Sequence, residues 1–313
     1  MTNRATTASA PGKIILFGEH AVVYGRPALA VPVTQVQAVC RVQDVSAQAG
    51  VLIVAPDVNR RYRLDRASPD DPLAAAVRGA LAALNVSSHP GLTLTVRSTI
   101  PIACGLGSGA AIATAIVRAL AQHLKHPLPP AAVSDVVFEV EKIHHGTPSG
   151  IDNSVVAFAR PIFFQKNSPI EPLAVGAPLT LVIGDTGVTS PTYKVVGDLR
   201  RRWQAEPGRY ESYFDRMGRI ALRARRAVER GDVAGVGQCM VDNHALLQEI
   251  GVSSTELDGL VKAAHGAGAA GAKLSGAGWG GNMIALAPPG RAEEVAGALR
   301  GAGAAGVIIT VVR

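Results

Sequence analysis

Apolar and polar positions along the chain divide it into short strand-like runs and longer helical stretches. The alternating segment Leu-Thr-Leu-Thr-Val-Arg at 92–97 predicts a strand with one buried face. Further strands are predicted at 12–17, 28–45 (one or two strands), 51–54, 179–184, 272–275, 282–287 and 307–312. Helices are predicted from 72 to about 84, from a glycine loop to about 125, at 130–144, from 191, and at 209–230, 232–250, 254–264 and 291–299. Strands lie at the start and end of each half with helices between them, which predicts an α+β fold in two lobes.

Local signals define several of the helix starts. Asp71 followed by Pro72 is typical of an N-cap and a first helical turn. Gly146 is placed to close the helix that starts at Pro130.

The composition indicates a folded protein with a small-residue core. Hydrophobic residues make up 48% of the 313 residues and charged residues 18%, whereas aromatic residues make up only 4%. The net charge of +7 comes largely from an arginine-rich stretch at 200–230 that is typical of solvated helix faces. Without zinc-ligand spacing and with few aromatic residues for stacking, the chain does not favour nucleic acid as a partner. The positive charge suits an anionic small-molecule substrate.

Cysteine usage and the N-terminus bear on location. Cys40, Cys104 and Cys239 are odd in number and not closely spaced, which indicates buried thiols in a reducing compartment. The first eleven residues contain no apolar stretch of the secretion-signal type, so we expect a cytoplasmic protein. Residues 98–117 carry no charge, but Pro101 and three glycines favour a strand end, a glycine loop and a buried helix over a membrane span.

The segment Gly-Leu-Gly-Ser-Gly-Ala-Ala at 105–111 is the first candidate for chemistry. Alternate glycines before a helix allow backbone N–H groups to point inward, and a helix N-terminus favours a phosphate. The P-loop pattern Gly-x4-Gly-Lys-Ser/Thr is absent from the chain. Ser108 offers a hydroxyl to a phosphate or to Mg²⁺. A tight strand–helix turn without a ligand is the alternative.

Two acidic residues flank the next motif, at 141–153. Glu141 is expected in the last turn of a helix, where the dipole disfavours an anion, so a nearby cation would explain it. Asp152 follows a Pro-Ser-Gly turn, and its carboxylate could orient or deprotonate a hydroxyl. The alternative is that Asp152 caps a following helix, with help from Asn153.

Two further segments carry glycines or charges at strand ends. Gly276, Gly278 and Gly281 satisfy the dinucleotide pattern Gly-x-Gly-x-x-Gly, but they precede a strand and no acidic residue follows about twenty positions on. This segment is better explained as a turn where a ligand or another backbone comes close. Near the N-terminus, Lys13 starts an apolar strand, and Glu19 and His20 follow its end. Charged residues in such places are usually solvated.

Together these segments resemble the GHMP kinases, a family of small-molecule kinases. The family's central motif Pro-x3-Gly-Leu-Gly-Ser-Ser/Gly-Ala-Ala matches residues 101–111. Residues 11–25, 145–153, 185–192, 243–253 and 271–278 are most similar to the members of the family that phosphorylate mevalonate. The similar segments span nearly the whole chain in the family's order, which makes the resemblance specific.

The resemblance implies both a fold and an activity. The fold is a two-lobed α+β GHMP kinase fold, with an N-terminal lobe like ribosomal protein S5 domain 2 at 1–176 and a ferredoxin-like C-terminal lobe at 177–313. The activity is ATP-dependent phosphorylation of the 5-hydroxyl of mevalonate with Mg²⁺, in isoprenoid precursor synthesis. The implied partner is a small-molecule substrate, without nucleic acid or membrane, and a homodimer is possible.

The resemblance also implies roles for individual residues. Lys13 and Asp152 are catalytic: Lys13 contacts the reacting hydroxyl or the transferring phosphate, and Asp152 is the base or orienting carboxylate. ATP phosphates are expected on Pro101, Gly105, Leu106, Gly107, Ser108, Gly109, Ala110 and Ala111. Substrate is expected on Lys13, Glu19, His20, Asp152, Thr192 and Gly278, and Mg²⁺ on Ser108 and Glu141.

Two residues depart from the family pattern, and two alternative functions stay open. Trp279 stands where the family usually has glycine or a smaller residue, and Asn282 where cysteine is common. The Trp279 indole could lie in a core, in solvent or against the nucleotide. The alternatives are a GHMP kinase for phosphomevalonate, homoserine or a sugar, and a GHMP-like binding protein without catalysis.

Overall fold

The computed structural model describes residues 4–86, 90–101, 104–145, 148–189 and 191–313, without the side chains of His144 and His145. The chain forms two compact units. The first unit consists of Met1–Lys13, Val36–Ile102 and Gly107–Ala159, and the second of Ile14–Gln35, Ala103–Leu106 and Arg160–Arg313. The predicted closure of a helix at Gly146 lies outside the described residues, as does Ser190, which with Pro191 is predicted to open a helix.

The first unit joins a mixed sheet to a group of helices. Its strands are β1 (Ala5–Phe17), β2 (Ala28–Asp44), β3 (Val51–Ala55), β4 (Arg60–Arg63) and β5 (Leu92–Ser98), of which β1 and β2 continue into the second unit. Its helices are α1 (Pro72–Ala83), α2 (Ser108–His123), α3 (Pro130–His145) and α4 (Ile151–Phe158). The C-terminal half of β2 pairs antiparallel with β5, β5 pairs parallel with β3, and β3 pairs antiparallel with β4.

Small residues allow the helices of the first unit to pack closely. Helices α1, α2 and α3 contact one another, and α4 packs on α2 and α3. The buried face of α2 consists mostly of alanine, as the composition suggested. At the start of α1, the Asp71 carboxylate accepts the Ala74 N–H at 2.8 Å with Pro72 in the first turn, so the predicted N-cap is confirmed.

The second unit contains a four-stranded antiparallel sheet covered by helices. Its elements are β6 (Ile162–Phe164), β7 (Glu171–Pro172), β8 (Leu179–Asp185), α5 (Thr192–Ala205), α6 (Pro207–Arg230), α7 (Val233–Glu249), α8 (Thr255–Gly266), β9 (Gly271–Ser275), β10 (Asn282–Ala287), α9 (Ala292–Gly301) and β11 (Gly306–Val312). The strand order is β11-β8-β10-β9. Helices α7 and α8 pack on β9, so β9 is buried along its length.

Two differences from the predicted elements concern backbone pairing. β1 begins at Ala5, seven residues before the apolar run, and of the one or two strands predicted at 28–45 the structure has one, at 28–44. The short strands β4, β6 and β7 are not predicted. Pairing with a neighbour decides these cases, because residues such as those of β4 (Arg-Arg-Tyr-Arg) show no apolar alternation.

Cys104 is half-buried, whereas Cys40 and Cys239 are buried as expected. Within the described ranges, no helix is both long and apolar enough to cross a membrane.

Candidate active site

Lys13 and Asp152 form an ion pair in the first unit. Lys13 lies on β1 with its side chain almost fully buried, and its Nζ is 3.0 Å from Oδ2 of Asp152. Asp152 lies in the first turn of α4, with 29% of its side chain exposed. The alternative of Asp152 as a helix cap is wrong, because Gly150 is the N-cap residue and its positive φ starts the helix. The pair thus combines a shielded ammonium group with a carboxylate that solvent or a substrate can reach.

Polar contacts hold α4 in place around this carboxylate. The Asn153 amide donates to the backbone oxygen and the hydroxyl of Ser134, at 3.2 and 2.9 Å. At the other end of the helix, the Arg118 guanidinium donates to the Ala157 carbonyl at 2.8 Å. Asn153 therefore anchors the helix to α3 rather than helping Asp152 to cap it.

Glu141 places a second carboxylate near the pair. It lies on α3 with 3% of its surface exposed. Burial and, to a smaller extent, the Asp152 carboxylate raise its pKa while the Lys13 ammonium lowers it, and the net result is a pKa of about 7 instead of 4.5. Glu141 thus lies where the charges of Asp152 and Lys13 reach it.

The glycine loop brings the start of α2 against Lys13. Gly105 and Gly107 have positive φ values of 74° and 72°, and Gly107 is the N-cap residue of α2. A Cβ on Gly107 would lie 2.6 Å from Cγ of Lys13, so only glycine permits this approach. Backbone amides in the first turn of a helix have no acceptor within the helix, which suits them to bind an anion. In this loop, Leu106, Ala110 and Ala111 are buried, whereas Pro101, Gly105 and Gly109 are exposed and Ser108 is half-buried.

The donor set of the first unit fits a hard cation such as Mg²⁺. Glu141 supplies a buried carboxylate, which a cation would stabilise in its charged form, and Ser108 supplies a hydroxyl at the start of α2. In the part of the chain that the structure describes, no group of three or more His, Cys, Asp or Glu side chains could hold a metal ion. A Mg²⁺ ion would therefore need oxygen ligands from the nucleotide and water in addition, which is its usual mode of binding.

Glu19 is the centre of a buried polar cluster in the second unit. Its Oε1 forms an ion pair with Nζ of Lys273 on β9, and its Oε2 accepts the Asn243 amide of α7 at 3.3 Å. Lys273 is fully buried and Glu19 is 1% exposed. Burial lowers the pKa of Lys273, while the Glu19 carboxylate opposes that shift.

His20 joins the end of β1 to the glycine turn at 276–281. Its Nε2 lies 2.9 Å from the Ala277 carbonyl oxygen. Burial lowers the pKa of His20 to about 4, so the neutral ring donates its Nε2–H to this carbonyl. His20 has φ 61° and ψ −53°, a conformation that side chains rarely adopt.

The glycine turn is fixed to the loop after α7. The Trp279 indole N–H donates to the Gly251 carbonyl at 2.9 Å, and its backbone N–H donates to the Val252 carbonyl at 2.8 Å. Gly278, with φ 89°, packs so closely on the Val252 carbonyl that any side chain would clash. The indole thus serves contacts within the second unit, in agreement with the packing alternative.

Asn282 and Thr192 differ in how they are held. The Asn282 amide donates to the Cys104 carbonyl, just before the glycine loop, and is buried. Thr192 is exposed in the first turn of α5.

The structure brings the sequence-predicted residues together in two sets. Lys13, Glu141 and Asp152 interact in the first unit with Gly107 alongside, and Glu19 and His20 lie with the glycine turn in the second. Lys273 and Asn243 were not predicted as part of a site. The signal was present for Lys273, because a lone lysine within the apolar run at 271–275 requires a charged partner when that strand is buried.

Comparison with known families gives two matches. The family model for the N-terminal domain of GHMP kinases matches residues 73–160, and the model for the C-terminal domain of GHMP kinases matches residues 224–305. The first range includes α1 to α4 and the glycine loop. The second includes α7, β9 and the glycine turn.

Relatives of similar length are named mevalonate kinase. The mevalonate kinase of Pyrococcus horikoshii is 35% identical over 98% of this chain and 95% of its own length. The mevalonate kinase of Aeropyrum pernix is 35% identical over 93% of this chain and 91% of its own length.

Among solved structures, L. major mevalonate kinase in complex with R-mevalonate superposes with a TM-score of 0.85 at 30% identity, covering 98% of this chain and 95% of the other. The Streptococcus pneumoniae phosphomevalonate kinase, at 15% identity and a TM-score of 0.83, shares the fold.

Proposed function

The chain belongs to the GHMP kinase family, and on that basis we propose that it transfers the γ-phosphoryl group of ATP to the 5-hydroxyl of mevalonate. The full-length relatives named mevalonate kinase support this substrate over a sugar or homoserine. The observation that carries the chemistry is the ion pair between Lys13 and Asp152.

Asp152 and Lys13 have complementary roles in this reaction. The 5-hydroxyl oxygen attacks the γ-phosphorus, the bond to the ADP oxygen breaks, and the hydroxyl proton passes to the Asp152 carboxylate. The Lys13 ammonium, 3.0 Å from that carboxylate, stabilises the negative charge on the transferring group. Phosphoryl transfer depends mainly on positioning and charge neutralisation, and both groups are shielded or anchored for that purpose.

The start of α2 is the proposed binding site for the ATP phosphates. Its free backbone amides and positive dipole end favour an anion. The carbon chain of Lys13 packs closely on Gly107 at this helix start. The positive φ values of Gly105 and Gly107 shape the loop directly before this helix start.

Mg²⁺ is proposed as the ion on Ser108 and Glu141. When bound with the nucleotide, it would neutralise phosphate charge. Without the ion, the Glu141 carboxyl group still interacts electrostatically with Asp152 and Lys13, which shift its pKa in opposite directions.

Ser108→Ala and Glu141→Gln should each raise the Mg²⁺ concentration for half-maximal rate. Each variant removes one oxygen ligand of a cation that binds oxygen almost exclusively, and we expect a shift of about tenfold. A magnesium titration at saturating ATP measures it, with the exposed Glu139→Gln of α3 as the control for loss of a carboxylate. Unchanged titrations in both variants would remove the metal role.

Glu141→Gln should also change how stability depends on pH when no divalent cation is present. Because the folded-state pKa is raised from 4.5 to about 7, the favourable contribution of the protonated carboxyl is complete below about pH 4.5 and is lost as the pH rises through 7. Glutamine has no proton to lose, so the variant should gain about 3 kcal/mol relative to wild type between pH 4.5 and 8. Urea unfolding in EDTA at pH 4.5 and pH 8 gives the free energy of unfolding of the variant and of wild type. The same difference between the two proteins at both pH values would contradict the assignment of the raised pKa.

The proposed function is tested by ADP release with a panel of alcohols. Wild-type protein with ATP, Mg²⁺ and mevalonate should release ADP, whereas phosphomevalonate, homoserine and galactose should give little. Release with another alcohol would assign a different kinase of the family, and no release with any alcohol would indicate a binding protein. Homodimer formation and cytoplasmic location remain predictions from the sequence.

A further inference from the structure

We infer that Asn243, His244 and Lys273 form a buried positioning relay that fixes Glu19 and His20 and thereby sets the affinity for mevalonate. This inference rests on the proposed function, in which Glu19 and His20 serve substrate binding. The relay lies wholly within the second unit. It assigns a role to the Asn-His pair of α7, which the proposed chemistry does not use.

The ion pair at the centre of the relay is costly to bury. Lys273 and Glu19 are both removed from water, and such a pair rarely improves stability over apolar residues of the same size. What the pair does provide is a fixed orientation of both side chains, because each buried charge must keep its hydrogen-bond partners. The Lys273 ammonium also donates to the Leu274 carbonyl at 2.6 Å, and the second Glu19 oxygen accepts from Asn243.

Two neighbouring residues of α7 hold the two sides of this pair. Asn243 binds Glu19, and His244 accepts the Leu274 N–H on Nδ1 at 3.3 Å. The backbone of Leu274 is therefore held at its N–H by His244 and at its carbonyl by Lys273. The His244 Nε2 lies 3.1 Å from an Asp258 oxygen of α8. A shift of Glu19 would have to break contacts with both α7 and β9.

The relay holds a loop in which His20 has an unfavourable backbone conformation, with φ 61°. Gly18 has φ 92°, which glycine adopts readily, and packs on the Pro27 carbonyl. An unfavourable backbone of this kind persists only where the surroundings fix it, and it is commonly found at functional sites. Glu19 stands between these two residues and is fixed on both carboxylate oxygens. Its buried contacts thus keep His20 in the conformation that reaches Ala277.

The residues directly after α7 fix the turn that carries the hydrogen-bond acceptor of His20. The glycine turn carries the Ala277 carbonyl, and Trp279 ties this turn to Gly251 and Val252 directly after α7. Helix α7 therefore positions His20 through Glu19 and positions its acceptor through Trp279. Loss of the Asn243 contact would leave the acceptor in place and release the loop at 18–20.

A released loop should weaken mevalonate binding more than it slows the chemistry. Lys13 and Asp152 are not part of the relay, so the reacting groups keep their ion pair. Interactions that are equal in the ground state and the transition state affect KM rather than kcat. We therefore expect Asn243→Ala to raise KM for mevalonate about tenfold, with kcat within about threefold and KM for ATP unchanged.

The experiment measures KM and kcat for both substrates in three variants. Asn243→Ala removes the amide, and Asn243→Leu removes it while keeping the side-chain volume, so that a cavity does not decide the outcome. Cys239→Ala is the matched control, because Cys239 lies one turn earlier on α7, is equally buried and contacts Arg223 instead of the relay. KM does not depend on the concentration of folded enzyme, whereas an apparent kcat does.

The outcomes separate the relay from the proposed function. A raised KM for mevalonate in the folded Asn243 variants, with the Cys239 variant unchanged, supports the relay. Wild-type turnover of mevalonate combined with an unchanged KM in those variants overturns the relay alone, as does a lower kcat without a change in KM. A wild-type protein that does not phosphorylate mevalonate overturns the proposed function, and the link between the relay and mevalonate with it.

Discussion

Asp152→Asn should lower kcat for mevalonate phosphorylation by ~10² or more while leaving ATP binding nearly intact. The amide keeps the size of the carboxylate at the first turn of α4 but cannot accept the hydroxyl proton. It also ends the ion pair with the Lys13 ammonium. Steady-state kinetics give kcat, and calorimetry with a non-hydrolysable ATP analogue gives nucleotide affinity.

An exposed carboxylate in the same unit provides the control for Asp152. Asp135 lies on the solvent side of α3, and Asp135→Asn should have kcat close to wild type. Turnover of Asp152→Asn within a few-fold of wild type would exclude it as the base. Equal losses in both variants would point to a general effect of removing negative charge.

Lys13→Met should lower kcat by about 10³, a loss expected for removal of a charge that stabilises the transition state. Methionine follows the course of the buried lysine chain past Gly107, so packing against the start of α2 is kept. Lys125→Met, at an exposed position, controls for the loss of one positive charge.

The double variant of Lys13 and Asp152 tests whether the two residues act as a unit. Groups that act together give non-additive losses, so the double variant should be little worse than the poorer single variant. Losses that multiply would show that Lys13 and Asp152 contribute independently, and would contradict a shared role in one step.

Local patterns were sufficient to predict much of the fold. The caps of Asp71, Asp232 and Ser254 accept backbone N–H groups at the starts of α1, α7 and α8, where the sequence predicts helices to begin. The family and the two-lobed α+β fold predicted from the resemblance are confirmed by the comparisons, and relatives named mevalonate kinase support the proposed activity. Caps and apolar periodicity are encoded within a few residues, which is why a single sequence reveals them.

The contents of the candidate site could be predicted only in part. Resemblance named Lys13, Asp152 and Glu141, and the structure brings their charges together in one unit. The individual roles assigned to these residues stay predictions. The partner of Glu19 could not be read from the chain, because Lys273 is 254 positions away and only the folded backbone brings the two together. Short strands such as β6 were missed for the same reason, since a partner strand stabilises them and local propensity does not.

The buried contacts of Glu19 and His20 also determine when this part of the chain can fold during synthesis on the ribosome. Ile15, Glu19 and His20 contact residues 254 to 260 positions further along the chain. At ordinary rates of translation, their partners are synthesised roughly 10 to 50 seconds later. During this interval the apolar end of β1 and the Glu19 carboxylate lack their native contacts with β9. The nascent chain should therefore depend on chaperone binding near its N-terminus until translation is almost complete.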